Sequence, residues 1–438
     1  DALTGCIRTP YPLAQKRQIL EADEAPEGYE GDFTRDQEAL REEQLVRRTV
    51  FTEFSRRLAA AAESTEKDNA ESQHAVPPIS PMWADLRFDF GGAPIFYPLR
   101  QLHFQNADFA SATFYGQADF SGSTFHGDTS FSAAQFTADA SFHGVTFTGE
   151  VDFSDVVFSA AADFGVASFE ADADFSRLNT AGIASFAAIA FGGKAIFTAS
   201  TFHDEAHFAA SVFNRPAVFS KSLFGGVARF AGVVTKQSAM FSNVRFASAA
   251  DFSGATFTQY EDFGGARFDG DATFSRASFI ALPRTSYEDM DFPQRANFDK
   301  VTFAQDADFS KATFTAFVGF RRVTFAGAAS FNGTSFEGAY FPGATFGQRA
   351  DFRQTSFMYV KPSFEDLEER LQTARFSAQA DPQDYLFEAR LESTHGFSCG
   401  ETELLNRTFV LPLDTVLYDP DSWDEEKQDY TRVSEPAQ

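Results

Sequence analysis

Phenylalanine recurs in alternating steps of five and six residues from Phe104 to Phe357, and this repeat constrains the fold more than any other feature of the sequence. The chain contains 56 Phe, and Thr180, Thr235 and Tyr287 take the place of Phe at three positions of the rhythm. A repeat of about eleven residues is typical of solenoid proteins, in which each repeat packs only on its neighbours. The sequence therefore predicts an all-β solenoid for the middle of the chain, but it does not by itself reveal a function.

The residues around each Phe follow a second pattern. A small or β-branched residue lies two positions before most of them, so on an extended chain both side chains point to the same side, into the core. The residue between them points outward. It is often Asp in the six-residue steps and often Thr in the five-residue steps, as in Asp119, Asp152, Asp163, Asp174, Asp251, Asp262, Asp308 and Asp351, and in Thr113, Thr124, Thr146, Thr201, Thr256, Thr302, Thr313, Thr324 and Thr345.

Stretches such as Ala118-Asp119-Phe120-Ser121-Gly122 and Ala250-Asp251-Phe252-Ser253-Gly254 resemble the pentapeptide-repeat family. Its motif is a small residue, Asp or Asn, Leu or Phe, and two variable residues. The resemblance covers residues 104–357 and implies a right-handed, four-sided β-helix with the central aromatic residues stacked inside. The family period is five, whereas this chain alternates five and six, so a four-sided coil would take about 22 residues instead of 20, and we expect an extra residue at two of the four corners.

Glycine recurs two residues after many of the Phe, and a corner there would need a residue that tolerates positive φ. The corresponding residues are Gly116, Gly127, Gly149, Gly270, Gly327 and Gly338.

The flanks of the repeat differ from it. Residues 1–81 form an acidic N-terminal segment with a predicted short helix at Leu13–Ala22, an amphipathic helix at 35–63 and a proline-bearing linker at 64–81. Thr34 and Gln37 have the spacing of a capping box. We expect the helix to cover the end of the solenoid or to bind a partner, through the apolar stripe Val46, Val50, Phe54, Leu58 and Ala62.

Residues 82–360 are predicted to form the β-helix, with a first irregular coil between Met82 and His103. Residues 361–396 are predicted to form C-terminal capping helices, one capped by Ser363 and one by Asp381-Pro382. Residues 397–438 form an acidic C-terminal extension, with a strand at Thr408–Tyr418 and a mobile polar tail after it. Because a C-terminal helix mediates dimerisation in smaller family members, the resemblance also implies a homodimer through the flanking helices.

The rhythm breaks at two places inside the array. Between Phe279 and Phe292 the spacing widens to thirteen, with Tyr287 as the substitute, which predicts two extra residues near Leu282-Pro283-Arg284. At Phe336, Phe341 and Phe346 two five-residue steps follow each other, so one corner residue is missing. Corners tolerate such changes, and a partner that recognises the altered loop is the functional alternative.

The net charge of −26 disfavours direct binding to nucleic acid or anionic lipid. The acidity is spread over the chain, with −6 in residues 1–103, −9 in 104–357 and −11 in 358–438. No apolar run approaches the 18 or more residues of a membrane span. Cys6 and Cys399 lie in opposite flanks, and they are either two unrelated thiols or joined to each other by a disulfide. Leu3-Thr4-Gly5-Cys6 is similar to a bacterial lipobox, so lipidation of Cys6 is a third alternative and favours an extracytoplasmic location (periplasmic, cell-surface or secreted) over a cytoplasmic one.

Residues of catalytic or metal-binding type do not cluster in a known motif. His203, Glu205 and His207 are the closest set with metal-ligand chemistry, but the register places His203 and His207 on different faces. Ladders of Asp carboxylates could attract calcium, although a solvated face explains them as well. No phosphate loop, nucleophile elbow or zinc-protease motif is present. We therefore predict no enzymatic activity and no catalytic, cofactor-binding or metal site.

Three functions fit these features. The first is a structural or interaction scaffold, a rigid rod that binds protein partners and belongs to an envelope or membrane-associated assembly. The second is mimicry of DNA toward a topoisomerase, as in some acidic family members. About twelve coils would span ~57 Å, over which DNA carries ~33 charges, whereas residues 104–357 carry only −9. The third, ice or mineral binding, is favoured by three Thr pairs, Thr146/Thr148, Thr256/Thr258 and Thr313/Thr315.

Overall fold

Short parallel strands, most of them two residues long, form the bulk of the structure. The computed structural model describes residues 2–71, 87–97, 103–281, 296–365 and 373–438. It has two compact units, Asp1–Asp204 and Glu205–Gln438. The fold is a parallel β-solenoid of about 11 turns.

The strands pair with a constant offset of one coil. Ala140 pairs with Ala118 on one side and with Ala162 on the other, and hydrogen-bonded side chains in neighbouring coils lie 22 residues apart. The predicted 22-residue coil is therefore confirmed. Each coil contains four strands, which stack on those of neighbouring coils to give four walls, named A to D in chain order.

In the first unit the walls are as follows. Wall A comprises His103–Phe104, Thr124–Phe125, Thr146–Phe147, Ser168–Phe169 and Ala190–Phe191; wall B comprises Arg87–Asp89, Asn106–Asp108, Thr129–Ser130, Val151–Asp152, Ala173–Asp174 and Ala195–Ile196; wall C comprises Pro94–Ile95, Thr113–Phe114, Gln135–Phe136, Val157–Phe158, Asn179–Thr180 and Thr201–Phe202; wall D comprises Ala118–Asp119, Ala140–Ser141, Ala162–Asp163 and Ala184–Ser185.

The second unit repeats this order. Wall A comprises Val212–Phe213, Val234–Thr235, Thr256–Thr258, Ser278–Ile280, Thr313–Gly319, Ser335–Tyr340 and Ser356–Phe357; wall B comprises Ala217–Val218, Ala239–Met240, Glu261–Asp262 and Ala296–Asn297; wall C comprises Leu223–Phe224, Arg245–Phe246, Arg267–Phe268, Thr302–Phe303, Thr324–Phe325, Thr345–Phe346, Arg375–Ser377 and Val416–Tyr418; wall D comprises Ala206–His207, Ala228–Arg229, Ala250–Asp251, Ala272–Thr273, Ala307–Asp308, Ala329–Ser330, Ala350–Asp351 and Tyr385–Leu386.

The phenylalanines of the repeat form the core. Phe164 is fully buried, stacks on Phe142 with ring centroids 4.7 Å apart and nearly parallel planes, and meets Phe153 edge to face at 5.3 Å. Stacked and edge-to-face arrangements are those that aromatic quadrupoles favour. Thr180 and Thr235 are buried at the ladder positions predicted for them, whereas Tyr287 lies outside the described residues.

Two kinds of corner connect the walls. After walls B and D, the carbonyl of the Phe accepts the N–H three residues on, as in Phe120 and Ser123 at 3.0 Å, and the residue two positions after the Phe has positive φ, as in Gly122 and Val166. The six-residue steps span the other corners, after walls A and C. An extra residue at two of the four corners is therefore confirmed.

The glycines that were expected to need positive φ mostly do not. Gly116 has φ of 85°, but Gly127, Gly149, Gly270, Gly327 and Gly338 are absent from the positive-φ residues. Close packing requires them instead, because a Cβ on Gly270 would lie 2.5 Å from the backbone of Ser248 in the preceding coil.

The N-terminal segment covers the first coil of the first unit. It contains helix α1 (Ala2–Arg8), a 3₁₀ helix (Pro12–Leu20) near the predicted Leu13–Ala22, and helix α2 (Phe33–Glu71). Phe51 of α2 packs on Phe90 and Tyr97 at 4.8 and 5.3 Å. Strands Arg87–Asp89 and Pro94–Ile95 form the predicted irregular coil, of which residues 82–86 lie outside the described residues.

Details of helix α2 differ from the prediction. Its N-cap is Asp32, which accepts the N–H of Arg35 at 3.1 Å, and Gln37 binds the carbonyls of Ile19 and Ala22 instead of closing a capping box with Thr34. The helix continues to Glu71, through the first part of the predicted linker at 64–81; residues 72–81 lie outside the described part.

The buried stripe of α2 is also displaced from the predicted one. Leu40, Arg47 and Phe51 are buried, whereas Val46 is 50% exposed. Arg47 is held there by hydrogen bonds to the carbonyls of Ile7 and Thr9, so a charged residue takes the place that an apolar one was expected to fill. The side chains of Phe54, Leu58 and Ala62 are not described.

The predicted C-terminal capping helices at 361–396 are wrong where the chain is described. Asp381 does cap the turn before Pro382, by accepting the N–H of Gln383, but the turn is a single 3₁₀ helix, Pro382–Asp384. It ends because Tyr385–Leu386 pairs in parallel with Ala350–Asp351 and so continues wall D. Residues 366–372, with Leu367 and Leu371, lie outside the described residues.

The acidic extension at 397–438 closes the second unit. Strands Cys399–Leu404 and Arg407–Pro412 form a hairpin, Pro420–Ser422 is a 3₁₀ helix, and Trp423–Asp424 pairs with Asp429–Tyr430. Val416–Tyr418 pairs with Arg375–Ser377 as the last strand of wall C. The tail after Asp419 was expected to be mobile; instead its Ala437 is buried and Gln438 exchanges backbone hydrogen bonds with Glu401.

Candidate functional site

The outward Asp residues of the repeat support the corners. All eight of the predicted positions use one carboxylate oxygen to accept the backbone N–H two residues further on, at 2.8 to 3.1 Å. Asp side chains stabilise turns in this way. The ladder of carboxylates therefore has a structural cause in the backbone of each turn.

A second set of Asp residues links consecutive coils at the other corners. Asp128, Asp172 and Asp306 each accept an N–H of the following coil, from Glu150, Lys194 and Ala328. Carboxylates of both sets line a groove of about 520 Å³ on wall B of the first unit. The acidity of the repeat is thus largely tied to backbone hydrogen bonding.

Some Thr hydroxyls that follow a Phe of the repeat bind the backbone of the preceding coil. The hydroxyl of Thr148 donates to the carbonyl of His126 at 2.6 Å, and that of Thr137 donates to the carbonyl of Phe114 at 3.0 Å. These bonds join neighbouring coils. They reduce the support for ice or mineral binding, which needs regularly spaced hydroxyls that face solvent.

The predicted metal candidates do not form a metal site among the described residues. Glu205 and His207 come together at 2.8 Å, but the guanidinium of Arg229 lies 3.1 Å from the same carboxylate. A cation already beside Glu205 disfavours a metal ion there. His203 belongs to the other unit, and no group of three potential ligands is arranged for a metal in the described parts of the chain.

Cys6 and Cys399 are both free and exposed. No helix of the described residues is long and apolar enough to cross a membrane.

The largest break in the repeat is longer than the sequence analysis predicted. Phe298 stacks on Phe263 at 4.9 Å with parallel planes, so the two rings occupy the same position in consecutive coils. Side chains of these coils that contact each other are 35 residues apart, against 22 in an uninterrupted coil, which leaves thirteen extra residues instead of two. The insertion lies between Phe279 and Phe298, at the corner between walls A and B. The predicted positions at Tyr287, Phe292 and Leu282-Pro283-Arg284 lie outside the described residues.

The second break lies at the same corner in the next coils. Thr313–Gly319 and Ser335–Tyr340 run through this corner as continuous strands of seven and six residues. The pairing of the two strands shifts register between Phe314 and Phe317. A bulge in Thr313–Gly319 at this point compensates for the residue that the coil of Ser335–Tyr340 lacks. The missing residue predicted near Phe336 is therefore confirmed. We name Thr313–Gly319, Ser335–Tyr340 and 358–360 the irregular corner.

The irregular corner exposes aromatic and apolar side chains. The ring of Phe317 lies over Gly338, where a Cβ would come within 2.5 Å of it, and its centroid is 5.8 Å from that of Tyr340. Met358 is 50% and Tyr359 70% exposed. Tyr359 is fixed by its N–H, which donates to the carbonyl of Glu337 at 3.1 Å. Burial raises the pKa of both Tyr340 and Glu337.

A family model described as Pentapeptide repeats (9 copies) matches residues 109–157 and 309–356. These two segments carry pentapeptide repeats, which confirms the family resemblance expected from the sequence. The second matched segment contains two strands of the irregular corner, so the pentapeptide repeats extend through this feature. No curated protein and no solved structure matches the chain.

Sequence reasoning located both breaks in the pentapeptide repeats but not their coincidence at one corner. Counting Phe spacings assigned Tyr287 and Phe292 to the ladder, although the next ring of the ladder is Phe298. A signal was present, because Ala296-Asn297-Phe298 has the small-polar-Phe motif and the preceding fourteen residues lack it.

Proposed function

We propose that the protein is a non-enzymatic scaffold that binds protein partners. The observation that supports this most is that the polar side chains of the walls are used to hold the coils together, while one corner departs from the repeat and presents aromatic side chains. A regular wall has its backbone groups paired from coil to coil, so recognition falls to places where the repeat is interrupted or covered.

Two surfaces compete for this role. The first is the irregular corner. The second is the outer side of helix α2, where Leu45 is 64% and Val46 50% exposed. This surface corresponds to the homodimer or partner contact that was predicted for the flanking helices. The first is favoured because its aromatic side chains are of the kind enriched in protein interfaces.

A photo-crosslinking experiment in the native cell tests the proposal. A photoreactive phenylalanine analogue is placed singly at Tyr359 in the irregular corner, at Leu45 on helix α2 and, as a control, at Val157 on wall C. We expect a discrete adduct with another protein from Tyr359 and none from Val157. Adducts from none of the three positions would contradict a scaffold function, and an adduct from Leu45 alone would assign binding to the flank.

A further inference from the structure

Glu337 carries the one carboxylate among the residues of the irregular corner. It is half-buried, burial alone raises its pKa, and no cation or hydrogen-bond donor engages its carboxylate among the described residues. Asp351 in the same unit shows the usual solution, since Arg353 and Arg349 lie 2.6 and 2.9 Å from its carboxylate. A carboxylate that loses water without gaining a partner is stabilised by a cation that arrives from outside.

Aromatic residues lie next to Glu337 along its strand and in the coils on either side of it. Phe317 lies over Gly338, the residue after Glu337, and contacts Tyr340. Tyr359 binds the Glu337 carbonyl through its N–H, and its own carbonyl lies 3.0 Å from the ring of His395. A cation over the face of an aromatic ring is attracted by about 0.5–1 kcal/mol at exposed sites. The carboxylate of Glu337 and the aromatic rings near it therefore both attract a cation.

The charge of the whole chain favours the same partner. With a net charge of −26, the protein draws basic molecules toward it and repels acidic ones. At the corner itself Thr313–Gly319 and Ser335–Tyr340 are continuous strands, and Glu337 and Tyr340 are both partly exposed on the second of them.

We propose that the irregular corner binds an arginine or lysine side chain of a protein partner, with Glu337 as its ionic partner and Tyr340 and Tyr359 as its aromatic contacts. This assignment rests on the proposed scaffold function and specifies the chemistry of the bound surface. The regular corners lack this combination, because their Asp carboxylates already accept backbone N–H groups.

Methionine methyl NMR on the full chain tests the assignment. The sequence has four Met, so the ε-methyl signal of Met358, assigned with Met358→Leu, reports on the corner while Met240 on wall B serves as an internal reference. The probe is the capped peptide Gly-Gly-Arg-Gly-Gly, and its control has citrulline, which is neutral and of similar shape, in place of Arg. We expect a saturable shift of Met358 with the arginine peptide and about tenfold weaker binding of the citrulline peptide, because the charge-assisted hydrogen bond is lost.

Substitutions separate the ionic contact from general attraction to an acidic protein. Glu337→Gln should abolish the preference for arginine over citrulline, whereas Glu401→Gln, which removes an exposed carboxylate elsewhere in the same unit, should leave it intact. Equal binding of the two peptides, absence of any shift, or an undiminished preference in Glu337→Gln would overturn the assignment. Melting curves of the variants should superimpose on that of the parent protein.

The outcome for this site is distinguishable from that for the scaffold function. If the partner crosslinked at Tyr359 is retained by Glu337→Gln with unchanged affinity, the scaffold function stands and the ionic contact is wrong. If no partner crosslinks at any position, the scaffold function fails whatever the peptides do.

Discussion

Replacing Phe252 by alanine should show how strongly each ring of the ladder stabilises the fold. Phe252 is fully buried and stacks between Phe230 and Phe274, both at 4.8 Å. It also meets Phe241 and Phe263 edge to face, both at 5.5 Å. A fifth ring, that of Phe246, meets it edge to face at 5.7 Å, and the loss of the Phe252 ring leaves a gap that the backbone hydrogen bonds of the coils prevent from closing.

The magnitude follows from these contacts. Burying a Phe side chain contributes roughly 1.5–3 kcal/mol, and each aromatic pair adds about 0.5–1.5 kcal/mol beyond its buried area. Because such pair energies are not additive, we expect a loss near the upper end of the ~3–5 kcal/mol found for Phe-to-Ala changes in cores. Phe252→Leu keeps much of the apolar contact and should cost less than about 1.5 kcal/mol.

Urea unfolding followed by far-ultraviolet circular dichroism measures both variants. The expected result is a lower midpoint for Phe252→Ala with an unchanged slope, since the slope reports the surface exposed on unfolding. A loss of less than about 1 kcal/mol for Phe252→Ala would refute the argument. It would mean that the stack relaxes around a missing ring and that the coils, not the ladder, determine stability.

Four other predictions follow from the contacts described above. Thr180→Phe should raise the unfolding midpoint, and Thr180→Val should raise it less. The Thr180 hydroxyl is buried without a hydrogen-bond partner in the described structure, and Thr180 stands at a ladder position that is otherwise Phe. A lower midpoint for both variants would contradict this. Asp251→Ala should cost about 0.5–2 kcal/mol, by analogy with helix caps, and Asp251→Asn much less, because the amide oxygen can still accept the N–H of Ser253. Burial raises the pKa of Asp351, but hydrogen bonds from Arg353 and Arg349 lower it to about 2. The contribution of the Asp351 carboxylate to the free energy of unfolding is therefore complete above the unfolded pKa of ~3.9 and is lost as the pH falls toward 2. An acid titration of the free energy of unfolding should show this loss in the parent protein and not in Asp351→Asn. The protein should not inhibit topoisomerases at stoichiometric amounts, and inhibition of DNA supercoiling at sub-micromolar protein would revive the mimicry hypothesis.

The repeat and its coil length could be predicted because the same residues recur at positions that face inward. Alternation of a small residue with Phe places both on one side of a strand, and the four sides that the family resemblance implies give a coil of about 22 residues for a five-plus-six rhythm. The structural role of Asp251 could also have been predicted, because an Asp side chain commonly accepts a hydrogen bond from the backbone N–H two residues further on. The pattern could not show that Asp recurs at these positions because of this hydrogen bond and not because the face is exposed to solvent.

The C-terminal end was mispredicted because pairing with the last coils overrides local signals. Phe376 was assigned to a helix, yet it stacks on Phe346 at 4.7 Å, and Phe364 stacks on Phe341 at 5.1 Å. The ladder thus continues beyond Phe357 with longer excursions between rings, which hides its rhythm. Phe376 lies in a strand because wall C offers it a hydrogen-bonded neighbour, and no local propensity reveals that neighbour.

The candidate site could not be located from the spacing of residues along the sequence alone. Each break was visible in the sequence, but their meeting at one corner follows from the pairing of Phe314 with Phe336 and of Ser278 with Thr313. The position of Phe317 over Gly338 likewise arises from a bulge. That no described residue pairs with the Glu337 carboxylate can be recognised only once its neighbours are known.

The thirteen extra residues after Phe279 have a consequence for how such a chain can change in length. Phe298 returns to its place over Phe263 with a spacing of 4.9 Å, close to the 4.8 Å between Phe252 and Phe274 in an uninterrupted coil. Each coil is aligned by its own pairing with the coil before it, so a change in loop length is corrected within a single turn and no later coil inherits it. A corner of this solenoid is therefore a place where evolution, or an engineer grafting a foreign peptide, can add chain without altering the fold on either side.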